Sequence, residues 1–169
     1  FALLERPDES VNSDGILLLG TGESSDAYHM SAPPPDGRGA REAMLQALAA
    51  ASLEPGDIGY INFHGTGTPS NDAAEAQAVA SVLGKEVPGS STKGATGHTL
   101  GAAGALEAVM CALALQAGLM PAGINTRHVD ATLPVSYLRE NRAARLARVM
   151  SNSFGFGGSN CTLVLARAG

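Results

Sequence analysis

The chain has 169 residues, 44% of them hydrophobic and 16% charged, enough apolar matter for one cored domain and too much for a disordered segment. Its formal net charge of −5 and its lack of Trp argue against a general nucleic-acid binder, which needs a positive field and stacking platforms. The two cysteines, Cys111 and Cys161, show no metal-ligand spacing and read as buried free thiols in a reducing, cytoplasmic setting, and the start carries no secretory signal pattern.

The first stretch, Phe1-Ala2-Leu3-Leu4-Glu5-Arg6, starts without Met and reads as the end of a strand. A stable domain seldom begins inside a sheet, so the chain reads as the later part of a longer protein. Residues 7–15 form a polar connection, and Ile16-Leu17-Leu18-Leu19-Gly20 reads as a buried strand. Residues 26–39 form a loop around Pro33-Pro34-Pro35, and residues 41–51 carry Met44, Leu45 and Leu48 at helical spacing.

Tyr60-Ile61-Asn62-Phe63 is a short strand delivering its end to His64-Gly65-Thr66-Gly67-Thr68. A helix over residues 73–83 follows, with Asn71 or Asp72 as its cap. A second helix over residues 101–117 has only Glu107 and Gln116 as polar side chains, which predicts burial on most sides. Its length and central Glu107 weigh against a membrane span. Strands over residues 148–153 and 162–166 close the chain, and the alternation of strands with helices predicts a layered α/β fold.

Three glycine-rich loops each follow a strand-like run: residues 64–68, 93–104 and 152–160. In α/β proteins sites gather where such loops converge at the carboxyl ends of strands. The polar groups in these loops are histidines, a lysine, threonines and asparagines, with no Asp or Glu. That inventory supplies neutral N–H donors and one cation, the set that stabilises a carbonyl turning into an oxyanion or enolate. A lone histidine is more often structural, and His29 and His128 read that way; His64 and His98 differ in sitting on glycine-rich loops after strands.

Other chemistries fit less well. Lys93 precedes its glycines, the reverse of a phosphate-binding loop, and residues 96–101 match a dinucleotide fingerprint only in part. No third ligand joins His64 and His98 into a zinc site, so no metal is expected. Arg139, Arg142, Arg145 and Arg148 read as a solvated edge in preference to a docking patch for an acidic partner.

The segments Asn62-Phe63-His64-Gly65-Thr66-Gly67-Thr68-Pro69, Ser91-Thr92-Lys93-Gly94-Ala95-Thr96-Gly97-His98 and Met150-Ser151-Asn152-Ser153-Phe154-Gly155-Phe156-Gly157-Gly158-Ser159-Asn160 resemble those of the β-ketoacyl-acyl carrier protein synthases. Ser24-Ser25-Asp26-Ala27-Tyr28-His29-Met30 is also similar to a segment of that family. The resemblance implies a thiolase-like α-β-α-β-α fold of two stacked halves. Residues 1–20 would then be crossover strands from a first half and residues 21–169 the second, C-terminal half-domain. It implies decarboxylative Claisen condensation of malonyl-acyl carrier protein with an acyl thioester, in fatty-acid or related polyketide or polyene synthesis.

Carried over by residue, His64 and His98 resemble the pair that stabilises the enolate, and Lys93 the lysine supporting them. Glu75 is placed like a buried carboxylate paired with that lysine, and Thr66 and Thr68 like contacts to the phosphopantetheine arm. Phe154 resembles a gating phenylalanine on a mobile glycine loop; Asn160 matches a position near the site without a fixed role. The family's nucleophilic cysteine would lie outside this chain, since neither Cys111 nor Cys161 sits in its motif. The resemblance further implies a homodimer, an acyl carrier protein as partner, and no cofactor beyond the pantetheine that the carrier brings. The competing expectations are a non-condensing partner subunit similar to a chain length factor, and an inert half stable only when paired.

Overall fold

A computed structural model describes residues 2–8 and 11–169; Phe1, Glu9 and Ser10 lie outside the described residues. Residues 2–8 carry no strand, so the strand reading of the opening stretch does not hold for them. The first strand, β1 (Ile16–Ser25), is twice as long as the apolar run suggested and crosses the expected boundary at residue 20. Gly20 and Gly22 are not its end. They let the first helix, α1 (Arg38–Ala51), lie against the strand, since a Cβ on Gly22 would stand 1.9 Å from the Ala43 carbonyl oxygen.

Next come β2 (Tyr60–Asn62) and α2 (Pro69–Leu83). That helix starts earlier than expected. Pro69 occupies its first turn, where the missing N–H costs nothing, and Thr68 is the N-cap in extended conformation. Asp72 is therefore inside the helix, and its Oδ1 accepts from Gly67 N–H at 3.3 Å. The short strand β3 (Pro88–Ser90) leads into one helical turn, α3 (Lys93–Thr96), and then α4 (Ala103–Ala117). The remaining strands are β4 (Leu119–Met120), β5 (Ser136–Tyr137), β6 (Arg142–Ala143), β7 (Arg148–Gly155) and β8 (Ser159–Arg167).

Among the described residues, six strands form one mixed sheet in the order β1-β8-β7-β2-β3-β5, while β4 and β6 pair separately. The strands β7, β2, β3 and β5 run parallel, with Asn62 beside Ser90 on one side and Ser151 on the other. The pleat sends alternate residues to opposite cores. Ile61, Met150 and Val164 join Met44 of α1 and Val79 of α2, whereas Tyr60, Val149 and Leu165 join Cys111 and Leu115 of α4. The result is an α-β-α layering with β2, β3 and β7 ending on the same side.

Two burial expectations need correction. In α4 only Ala103, Glu107, Cys111, Ala114 and Leu115 are buried, one stripe at helical spacing, while Val109 and Leu113 are exposed on the other side. The helix lies across one face of the sheet, and its apolar composition does not say how many faces are covered. Residues Leu100–Ala117 are apolar and long enough to cross a membrane, yet Glu107 is buried within the fold at their centre. Both cysteines are free thiols, Cys111 buried and Cys161 half-buried. Of the arginine run, Arg148 pairs with Asp57 at 3.3 Å, and the other three are exposed.

Candidate active site

Two loops leave the ends of the neighbouring strands β2 and β3 and bring His64, Lys93 and His98 together. His64 follows β2 and is buried; His98 lies beyond α3 and is exposed. Their ring centroids are 5.3 Å apart and the rings are nearly perpendicular, at 82°. Lys93 Nζ reaches beneath His64, donating to its carbonyl oxygen and lying 3.4 Å from its Nδ1. The same ammonium donates to Glu107 Oε1.

These contacts fix the protons. An ammonium can only donate, so His64 Nδ1 accepts from Lys93 and the neutral ring carries its proton on Nε2. Leu100 N–H donates to His98 Nδ1 at 3.1 Å, which leaves that ring's proton on Nε2 as well. Burial lowers the His64 pKa to about 3, with Lys93 and then His98 adding to the shift. His64 is therefore a neutral donor at physiological pH. With three partners, Lys93 has no ammonium hydrogen left over; it acts on the site through its charge and by holding His64.

Glu75 does not pair with Lys93. Its two oxygens accept from the backbone N–H of His64 at 2.8 Å and of Gly65 at 2.9 Å, and Oε1 also accepts from Asn152 Nδ2 at 3.2 Å. Asn152 is itself held by Thr162, whose hydroxyl donates to Asn152 Oδ1 at 2.8 Å. Burial pushes the Glu75 carboxyl up to about 7, against the pull of these donors. The lysine's carboxylate is Glu107 instead, on the buried stripe of α4, held above the usual carboxylate range by burial and drawn back by Lys93. Sequence did carry a signal for it: a lone acid in an apolar helix needs a buried cation.

Thr66 and Thr68 hydrogen-bond each other through their hydroxyls at 2.8 Å. Thr66 lines a cavity of about 430 Å³ with Lys93 and His98, and Thr68 sits outside it as the α2 cap. The far wall of that cavity is formed by Thr126, His128, Leu133 and Tyr137, a segment the sequence reading gave no part in the site.

Phe154 does not lie on the glycine loop itself. It belongs to β7, pairs with Asn160 across the hairpin, and its ring lies 5.6 Å from that of His64. The phenylalanine at the glycine-flanked tip is Phe156, 84% exposed. Asn160 is buried and ties the hairpin down: its Nδ2 donates to Asp26 Oδ1 at 2.9 Å and reaches Ser24 Oγ and the Gly158 carbonyl. Among the described residues, none of its hydrogen bonds goes to a histidine.

The family model described as beta-ketoacyl synthase, C-terminal domain, matches residues 17–127. The chain belongs to that family. It is 44% identical over 156 residues to the 3-oxoacyl-[acyl-carrier-protein] synthase, mitochondrial, of Arabidopsis thaliana, which covers 88% of the chain and 34% of the relative. A solved ketosynthase in complex with its chain length factor from Xenorhabdus doucetiae matches with TM-score 0.86 and 51% identity, over 90% of the chain and 39% of that one. A type II polyketide acyl-carrier protein in complex with its ketosynthase matches with TM-score 0.86 and 30% identity, over 90% and 38%. The likeness is to thiolase-like ketosynthases, and the chain spans about a third of the length of the curated relatives it matches. The relatives carry the name of condensing enzymes, acyltransferases by reaction type.

Proposed function

We propose that this chain supplies the enolate-stabilising half of a β-ketoacyl-acyl carrier protein synthase. The observation that carries the reading is the facing pair of imidazoles, His64 and His98, each with Nδ1 occupied and Nε2–H left to donate. Two such donors suit one thioester carbonyl oxygen as it gains negative charge.

In this reading an acyl group is held as a thioester on a cysteine contributed from outside residues 1–169. The malonyl thioester of an acyl carrier protein binds with its carbonyl oxygen between the two Nε2–H groups. The bond between its α-carbon and carboxylate breaks, carbon dioxide leaves, and the electron pair forms the enolate. The enolate carbon attacks the acyl thioester, the new carbon–carbon bond forms, and the cysteine thiolate departs. Lys93 and Glu107 hold His64 neutral and in place throughout, and Glu75 fixes the turn beneath it. Thr66 and Thr68 flank the pantetheine arm, which arrives on the carrier and is the only group required. Asn160 clamps the hairpin, and the residue free to gate entry is Phe156, not Phe154.

The protein acts in the cytoplasm as a dimer, in fatty-acid or related polyketide synthesis, with the acyl carrier protein as its partner. A second reading, a chain-length-factor-like subunit, draws support from the likeness to a solved ketosynthase and chain length factor pair. Incubating the complete polypeptide with acyl- and malonyl-acyl carrier protein separates them. Intact-mass detection of an acylated enzyme and of β-ketoacyl-carrier product is expected; neither forming would favour the non-condensing subunit.

A further inference from the structure

Lys93 is gripped from both flanks by one segment, residues 123–137. Two residues before it, Ser91 donates its N–H to Tyr137 Oη at 3.3 Å, and Tyr137 is in turn 3.2 Å from Thr126 Oγ1. One residue after it, the Gly94 carbonyl accepts from Asn125 Nδ2 at 2.7 Å. The approach is close at both points. A Cβ on Gly94 would stand 2.0 Å from the Ile124 carbonyl oxygen, and one on Gly123 would stand 2.0 Å from Tyr137 Oη.

Asn125 adopts a left-handed backbone, φ 66°, which Asn tolerates better than most residues. The segment is anchored to the sheet beside β3, with Leu138 N–H donating to the Gly89 carbonyl at 2.8 Å and Gly123 N–H to the Leu138 carbonyl at 3.0 Å. The Tyr137 ring stacks on Phe63, the residue before His64, with centroids 6.1 Å apart and planes 8° from parallel.

Ser91 carries the grip onward. Its hydroxyl donates to the Gly65 carbonyl at 2.8 Å and accepts from Lys93 N–H at 3.3 Å. The histidine loop and the lysine turn are thus joined at one serine, whose backbone is set by Tyr137. We propose that Asn125 and Tyr137 are positioning residues that fix the height of Lys93 under His64, and through it the efficiency of decarboxylation. This rests on the reading of Lys93 and His64 given above. Neither residue needs to touch substrate. A displacement of about 1 Å in a catalytic constellation is enough to cost up to 10²-fold in rate.

The test is a double-mutant cycle on malonyl-acyl carrier protein decarboxylation by the complete polypeptide. Asn125→Gly keeps the left-handed backbone and removes the amide, while Tyr137→Phe keeps the ring stack and removes the hydroxyl. Each is expected to lower kcat about tenfold with KM changed less than about twofold. On a Lys93→Ala background each is expected to lower the residual rate by less than about twofold, because the residue acts through Lys93. Equal losses on both backgrounds, or no loss on either, overturn the proposal while leaving the condensing function standing. A parent enzyme that does not decarboxylate overturns the functional reading, and this inference with it.

Discussion

Lys93 and Glu107 meet as an ion pair inside the fold, with side chains 6% and 2% exposed, although Glu107 comes from a helix otherwise almost wholly apolar. Two charges taken out of water repay their desolvation only through each other and through further hydrogen bonds. The further bonds here go to His64, so the pair's placement and the histidine's protonation are one arrangement.

Glu107→Gln should cost about 3–5 kcal/mol of stability, because it leaves a buried ammonium without its counter-charge. The combined change Lys93→Met with Glu107→Leu should recover most of that loss and no decarboxylation. Chemical denaturation and a decarboxylation assay of both variants check this.

His64 has a folded pKa of about 3 against an ordinary value of 6.5. Between those values the unfolded chain binds a proton that the folded chain does not, so this group's contribution to stability is present above about pH 6.5 and is lost as pH falls toward 3. His64→Gln should therefore flatten the acid side of the melting temperature against pH.

Glu75 works in the opposite direction. Its folded pKa, about 7, is raised above the ordinary 4.5, so the folded chain holds the extra proton between them. Its contribution is present below pH 4.5 and is lost as pH rises through 7. Glu75→Gln should remove that decline, making the rise of melting temperature from pH 4.5 to 7 steeper than in the parent.

The two hairpin phenylalanines should separate cleanly. Phe154→Ala removes a half-buried ring packed on the core and His64, and should cost about 1–3 kcal/mol. Phe156→Ala should change stability by less than about 0.5 kcal/mol and act on the rate of acyl loading instead. Thermal melts and loading kinetics on both variants decide between them.

The convergence of His64, Lys93 and His98 was legible because their loops are short, glycine-rich and adjacent to strands that pair side by side. Partners were harder to read. Glu75 and Glu107 both stand at reachable distances along the chain from Lys93, and only the packing of α2 and α4 assigns one to loop N–H groups and the other to the ammonium. Glycines misled in both directions: Gly20 marks a close helix approach inside a strand, whereas the glycines around Phe154 belong to a hairpin whose tip is one residue pair further on. Pro69 is the start signal of α2, and Asn71 and Asp72, which have the side chains of caps, lie inside its first turn. The grip of Asn125 and Tyr137 on Lys93 joins residues too far apart in sequence for any local pattern to reveal.

The most direct test of the account is the rate of carbon dioxide release from malonyl-acyl carrier protein by the complete polypeptide and its His98→Ala variant. A loss of about 10²–10³-fold, with binding of the carrier protein retained, is the predicted result for removal of one oxyanion donor. Decarboxylation at the parent rate in His98→Ala would contradict it.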